Sequence, residues 1–269
     1  MEKSKLNSFI KRIVSSLVLI PLVLLAIVGG YPSIFLLVLL VAGLLSWEWA
    51  NMIPGKRQSF YAVCYFFAAA TSIFIKEWMI IGAVILAVMA LAFYKSKGEK
   101  NRGFLLLGIP YISIGIGSIV SIYGNYGYQI VLWFLFLVWG VDIGGYIFGC
   151  SIKGPKLAPK ISPNKTWAGL IGGMILSATI GYAVCYYFGA SAWNIAKYYV
   201  VMAVILAVIA QVGDLIESYI KRRLNLKDSS DMIPGHGGIF DRIDGLIFAA
   251  PFAYLMLKFL PYLVSLGVF

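Results

Sequence analysis

Long runs of apolar residues limit the folds open to this sequence more than any other feature. Nine runs approach or reach the roughly 20 residues that a helix needs to cross a bilayer. They cover residues 13–28, 33–52, 60–75, 79–94, 104–123, 128–148, 166–188, 196–212 and 243–267. Lipid offers no partners for backbone N–H and C=O groups, so such runs fold as helices. We therefore expect an all-α polytopic membrane protein with about nine transmembrane helices.

Composition agrees with this expectation. Charged residues make up only 12% of the chain, whereas soluble domains carry about 25%. A chain with so little charge cannot cover a water-facing surface, so lipid must solvate most of it. We find no internal repeat, and we expect a single membrane domain over residues 1–269.

Basic residues predict the orientation of the spans. If the N-terminus is cytoplasmic, nine spans place all of the 22 Lys and Arg residues except Lys76, Lys197 and Lys258 in cytoplasmic segments. This distribution follows the positive-inside rule, and it puts the C-terminus outside. It also accounts for the net charge of +11 without a nucleic-acid partner.

Acidic residues are concentrated near the end of the chain, where more than half of the 11 lie between residues 214 and 244. Asp214, Glu217, Ser218 and Lys221 are spaced i, i+3, i+4 and i+7, which places them on one face of a helix. An unpaired charge in a bilayer costs about 2.5–3.5 kcal/mol. Either an ion-pair ladder at the interface or a metal would compensate, and both interpretations are open on spacing alone.

The segment that follows combines glycines with further acids. Gly235, Gly237 and Gly238 let a backbone approach an anionic ligand closely. Asp241 and Asp244 are spaced i, i+3 at the start of the last span. Carboxylates near a helix N-terminus are favourable in themselves, but oxygen ligands of this kind also suit Mg²⁺ bound together with phosphate.

A basic loop precedes the seventh predicted span. Its four lysines can act as a cytoplasmic anchor for anionic lipid. Alternatively, the stretch from Ser162 to Thr166 resembles a capped helix start that holds a phosphate. Asp142, deep in span six, is a functional candidate by default. Glu48 is a weaker candidate, because Trp47 and Trp49 beside it indicate a position at the interface.

A longer pattern then resembles a known family signature. It runs Ser218-x-Ile220-Lys221-Arg222, Lys227-Asp228, Ser230, Ile233-Pro234-x-His236-Gly237-Gly238-Ile239-x-Asp241-Arg242-Ile243-Asp244. This pattern resembles the signature of the phosphatidate cytidylyltransferases, or CDP-diacylglycerol synthases. Residues 157–167 also fit. Departures from the family's usual residues occur at Cys150, at Ala168, and at Lys153-Gly154, which replaces a Gly-Lys pair.

The resemblance implies that CTP and phosphatidic acid react to give CDP-diacylglycerol and pyrophosphate, with Mg²⁺ required and the number of metal ions left open. It implies a catalytic region of about 142–244 with cytoplasmic loops 150–165 and 218–242, and a bacterial inner-membrane homodimer whose active site faces the cytoplasm. The implied metal ligands are Asp214 and Asp241, with Asp244 as a ligand or a support. The implied phosphate ligands are Lys165, Lys221, Arg222 and Arg242. Further substrate contacts are expected from Asp142, Ser162, Ser218, Lys227, Asp228, His236, Gly237 and Gly238.

Two other functions are weighed against this one. A related transferase acting on another lipid or polyprenol would have the same kind of site. This alternative stays open, because a groove that binds acyl chains has no readable sequence code. An ion-coupled transporter would use Asp142, Asp214 and Glu217 along a pathway. Transporters usually show repeat symmetry and broken helices, and the sequence indicates neither.

Overall fold

Helices build almost all of the architecture in the part of the chain that the structure describes. This structure is a computed structural model that describes residues 2–187, 193–235 and 237–265. Within those residues the helices are α1 Glu2–Val28, α2 Tyr31–Met52, α3 Gln58–Phe74, α4 Trp78–Lys95, α5 Arg102–Tyr126, α6 Tyr128–Ile152, α7 Trp167–Tyr187, α8 Trp193–Arg223 and α9 Phe240–Ser265. Two short strands, β1 Lys156–Ala158 and β2 Ser162–Thr166, lie between α6 and α7.

Seven of the described helices are long and apolar enough to cross a membrane. The other two apolar segments, Ile13–Val28 and Gln58–Phe74, are shorter. Large apolar side chains such as Leu36 and Met79 are 70% and 89% exposed, as expected where lipid is the solvent. The prediction of an all-α multi-pass membrane protein is thus confirmed. The side on which each terminus lies stays a prediction.

The chain divides into two compact units. The first comprises Met1–Val120 and Ile220–Ile243, and the second comprises Ser121–Tyr219 and Asp244–Phe269. Each unit contains part of the predicted catalytic region. The prediction of a single membrane domain stays a prediction.

An aromatic cluster fixes the end of α2 in the first unit. The ring of Trp49 stacks on Tyr111 at 5.2 Å between centroids and meets the edge of Phe240 at 5.1 Å. Its Nε1 donates to the carbonyl of Phe104 at 3.0 Å. Gly108 makes room for this indole, because a Cβ there would lie 2.4 Å from Nε1 of Trp49. The adjacent residue, Glu48, is therefore held at a defined place.

Glycines set the close packing of α6 on α7 in the second unit. A Cβ on Gly144 would lie 2.6 Å from the carbonyl oxygen of Gly172, and a Cβ on Gly172 would lie 2.4 Å from Cβ of Phe148. Small residues of this kind let helix backbones approach each other in membranes, where van der Waals packing drives association. The hairpin that joins α6 to α7 is thereby held on a rigid helix pair.

The basic loop forms a β-hairpin, which the sequence did not predict. β1 and β2 are antiparallel, with Lys156 opposite Thr166 and Ala158 opposite Ser162. Ala158 and Ser162 each precede a proline, and that position disfavours helical backbone. The helix start predicted at the end of this stretch is confirmed, because α7 begins at Trp167, but residues 162–166 before it form a strand. The cap is Thr166, whose Oγ1 accepts the N–H of Gly169 at 3.0 Å in the first turn of α7.

Candidate active site

Three carboxylates meet in the second unit. Oxygens of Asp214 and Glu217 on α8 and of Asp244 on α9 all lie within 4.8 Å of one another. The glycine next to each aspartate permits this approach. A Cβ on Gly213 would lie 2.6 Å from Cβ of Phe248, and a Cβ on Gly245 would lie 3.0 Å from the carbonyl oxygen of Ala210. The sequence predicted Asp214 and Asp244 in one site, but it did not assign Glu217 as a ligand.

The chemistry of this acidic group suits a hard cation. Glu217 is only 1% exposed, so water screens its charge poorly. Three negative groups this close repel one another unless a cation or a proton compensates. Mg²⁺ takes oxygen ligands and commonly uses one or two carboxylates together with substrate phosphate. The donor set therefore fits the metal that the sequence resemblance implies.

One basic side chain reaches the acidic group from the hairpin. Nζ of Lys165 on β2 forms an ion pair with Oδ2 of Asp214. The backbone N–H of Trp167 donates to the carbonyl of Pro155 at 3.1 Å and closes the hairpin next to this lysine. Oγ of Ser218 lies 3.4 Å from Oδ1 of the same aspartate. Lys165, Asp214 and Ser218, all expected at the site, are thus brought together.

A second polar group lies in the first unit and centres on Asp241. Nζ of Lys221 donates to its Oδ1 at 2.6 Å. The backbone N–H groups of Ser229 and Gly238 each donate to its Oδ2 at 2.9 Å. Asp241 thus binds the ends of the loop that carries the predicted nucleotide contacts. Its role as a metal ligand stays a prediction.

Glu48 contacts the loop that carries the predicted nucleotide contacts, although the sequence ranked it as a weaker candidate. It is fully buried and accepts the backbone N–H groups of Ile239 at 2.9 Å and Phe240 at 2.7 Å. Ser229 Oγ lies 3.4 Å away, and Ser230 also donates to it. The two adjacent tryptophans predict a place at the membrane interface, and this stays a prediction. The sequence signal that indicates its burial is the nearly continuous apolar run on both sides of this lone acid.

The remaining predicted residues lie as follows. Asp142, Arg222, Lys227, Asp228 and Arg242 are exposed, and Ser162 is half-buried on β2. Gly237 has a φ of +81°, and a Cβ there would lie 2.6 Å from Oδ2 of Asp241. Gly238 is buried in the same loop. His236 lies outside the described residues.

The fold and the polar groups together define a multi-pass membrane protein with a cluster of three carboxylates that could hold a metal ion. A family model described as the cytidylyltransferase family matches residues 10–260. The chain belongs to this family, which confirms the sequence resemblance, and it is a CTP-dependent nucleotidyltransferase.

Curated bacterial relatives cover nearly the whole chain. Three of them are named phosphatidate cytidylyltransferase. The protein of Brucella melitensis is 32% identical over 262 residues, covering 91% of both chains. That of Rickettsia felis is 32% identical over 265 residues, covering 95% of both chains. That of Rickettsia typhi is 34% identical over 257 residues, covering 93% of this chain and 92% of the relative.

Proposed function

We propose that this chain transfers the cytidylyl group of CTP to phosphatidic acid. A phosphate oxygen of phosphatidic acid attacks the α-phosphorus of CTP, and the bond from that phosphorus to the bridging oxygen of the β-phosphate breaks. The products are CDP-diacylglycerol and pyrophosphate. The observation that carries the proposal is the group of Asp214, Glu217 and Asp244 with Lys165 beside it.

The reaction suits a site without a general base. The attacking group is a phosphomonoester whose second pKa is about 6, so it is mostly dianionic at neutral pH. The obstacle is the approach of two polyanions and the charge that develops on the leaving pyrophosphate. Fixed cationic groups overcome this obstacle by positioning the phosphates and stabilising that charge.

Asp214, Glu217 and Asp244 would hold Mg²⁺, and Asp241 is kept as a proposed ligand. When bound, Mg²⁺ neutralises phosphate charge and orients the triphosphate. The carboxylates keep their place because both helices approach through glycine. Lys165, on the hairpin, orients the Asp214 carboxylate and is available to the phosphates.

The other basic residues bind the substrates in this proposal. Lys221, Arg222 and Arg242 bind phosphate oxygens. Ser218, Lys227, Asp228, His236 and the Gly237–Gly238 backbone contact the nucleotide, and Asp142 and Ser162 contribute further substrate contacts. We infer that the site opens at the cytoplasmic face of the inner membrane, where water-soluble CTP meets a lipid that stays in the bilayer. A homodimer is part of the same proposal.

The test is transfer of label from [α-³²P]CTP to phosphatidic acid by the purified full-length protein in detergent micelles with Mg²⁺. Wild type should label the lipid phase, and Asp214→Asn or Asp244→Asn should lower turnover at least 100-fold. Glu77→Gln, at an exposed acid before α4, is the matched control and should keep full activity. Label passing to a polyprenyl phosphate but not to phosphatidic acid would replace the proposed acceptor. Failure with both would overturn the proposal.

A further inference from the structure

Glu48 lies on α2, more than 180 residues before the loop that it contacts. None of the signature residues that carry the family resemblance lies on this helix. The carboxylate is completely buried, and burial of a charge is costly unless hydrogen bonds compensate it. Among the described residues, the donors that compensate this charge lie between Ser229 and Phe240.

The two carboxylate oxygens of Glu48 accept hydrogen bonds from different donors. Oε1 accepts the N–H of Ile239 at 2.9 Å and the hydroxyl of Ser230. Oε2 accepts the N–H of Phe240 at 2.7 Å. Phe240 begins α9 and Ile239 directly precedes it, and N–H groups at the start of a helix have no partner within the helix. Glu48 therefore caps α9 from another helix, and its negative charge also complements the positive end of the helix dipole.

Ser229 connects Glu48 with the Asp241 group. Its Oγ lies 3.1 Å from Oδ2 of Asp241 and 3.4 Å from Oε2 of Glu48. A hydroxyl has one proton, so it donates to one carboxylate at a time. Asp241 also accepts from the backbone of Ser229. Two carboxylates thus clamp one end of the loop through the same serine.

Gly238 shows how closely Glu48 is fitted to the loop. A Cβ on Gly238 would lie 1.9 Å from Oγ of Ser229 and 2.5 Å from Oε1 of Glu48. The backbone of Gly238 needs no left-handed conformation, because its φ is not positive. Glycine is required at this position because Glu48 and Ser229 leave no room for a side chain, and not because the backbone needs extra freedom.

We propose that Glu48 is a positioning residue for nucleotide binding. It holds the Ser229–Phe240 loop, so that the loop backbone and the Lys221–Asp241 pair present a preformed surface to CTP. This role rests on the proposed function, because the loop is assigned there to the nucleotide. Glu48 itself touches neither the substrates nor the reacting atoms. Its loss should weaken binding of CTP more than binding of the lipid.

The first measurement needs no catalytic activity. Hydrogen–deuterium exchange of the wild type and of Glu48→Gln, in the same detergent, reports on the amides of Ile239 and Phe240. The variant should exchange these amides at least tenfold faster, while amides in the centre of α4 stay unchanged. Equal protection of these amides in both proteins would overturn the clamp, whatever the enzyme's substrate is.

The second measurement is steady-state kinetics in the CTP assay. Glu48→Gln should raise KM for CTP about tenfold or more and leave KM for phosphatidic acid within twofold. Glu48→Asp should restore part of the loss, and the Glu77→Gln control should match wild type. A purely structural role would lower the amount of folded enzyme without changing either KM, and that result would overturn the proposal.

Ser230→Ala removes one contact from the loop side and leaves Glu48 in place. It should raise KM for CTP in the same direction by a smaller factor, so the proposal stays testable if Glu48→Gln fails to fold. Unchanged kinetics in Ser230→Ala together with an unfolded Glu48→Gln would assign Glu48 to folding alone. Absence of wild-type activity would refute the proposed function. Hydrogen exchange would still show whether Glu48 holds the loop.

Discussion

Nζ of Lys221 lies 2.6 Å from Oδ1 of Asp241, and the two side chains are only 11% and 6% exposed. Lys221 is near the end of α8, and Asp241 is in the first turn of α9. Ser229 and Gly238 donate to the same carboxylate. The pair therefore joins the two flanks of the loop that we assign to the nucleotide.

Removing one partner of this pair should lower the stability of the protein more than removing both. Lys221→Met leaves the Asp241 charge poorly screened, and breaking a buried pair costs about 3–5 kcal/mol. We expect a clear drop in the thermal midpoint, measured by scanning fluorimetry in detergent, for Lys221→Met. The double variant Lys221→Met/Asp241→Asn should recover part of that midpoint but no CTP turnover. Additive losses in stability would contradict this coupling.

The Lys165–Asp214 pair should matter for turnover more than for stability. Lys165→Met removes a cation next to the proposed phosphate site, and we expect turnover to fall about 100-fold, as when other electrostatic donors are deleted. Lys156→Met is the control, because Lys156 is an exposed lysine on the same hairpin. Equal turnover in the two variants would remove Lys165 from the site.

Metal dependence should report directly on the acidic group. Chelation with EDTA should abolish CTP transfer, and added Mg²⁺ should restore it. Glu217→Gln should raise the Mg²⁺ concentration for half-maximal activity by roughly tenfold or more, because one anionic ligand is lost. The titration of each variant against Mg²⁺ measures this shift. A wild-type Mg²⁺ response in Glu217→Gln would leave Glu217 without a metal role.

Gly238→Ala should impair the enzyme although alanine normally stabilises a chain relative to glycine. The added methyl group would overlap Ser229 Oγ and approach Glu48 Oε1. We expect at least a tenfold rise in KM for CTP. Gly82→Ala is the control, since its Cβ would meet nothing within 4 Å, and it should be neutral or stabilising by about 0.5–1 kcal/mol.

Lys153→Gly should stabilise the protein. Lys153 directly follows α6 as its C-cap, with φ 61° and ψ −131°, a conformation that glycine adopts and other residues avoid. We expect a gain of about 1 kcal/mol, measured as a higher thermal midpoint. Asn225→Gly, at φ 59°, should gain less, because asparagine tolerates the left-handed region.

The hairpin and Glu48 show where sequence reasoning failed. β1 has three residues and β2 has five, and each contains a lysine, so neither alternation nor apolar character marks them as strands. The carboxylate of Glu48 binds a loop far away in sequence. Local patterns carry no information about such a contact.

The sequence alone determined the helical membrane architecture, because lipid leaves a long apolar run no alternative to a helix. It also determined the family, through the residues between Ser218 and Asp244. Only the tertiary structure decided which acids meet. Asp214, Glu217 and Asp244 converge because glycines let their helices approach, and Glu48 meets the loop because α2 is anchored by Trp49. Both depend on packing between segments that are distant in the chain.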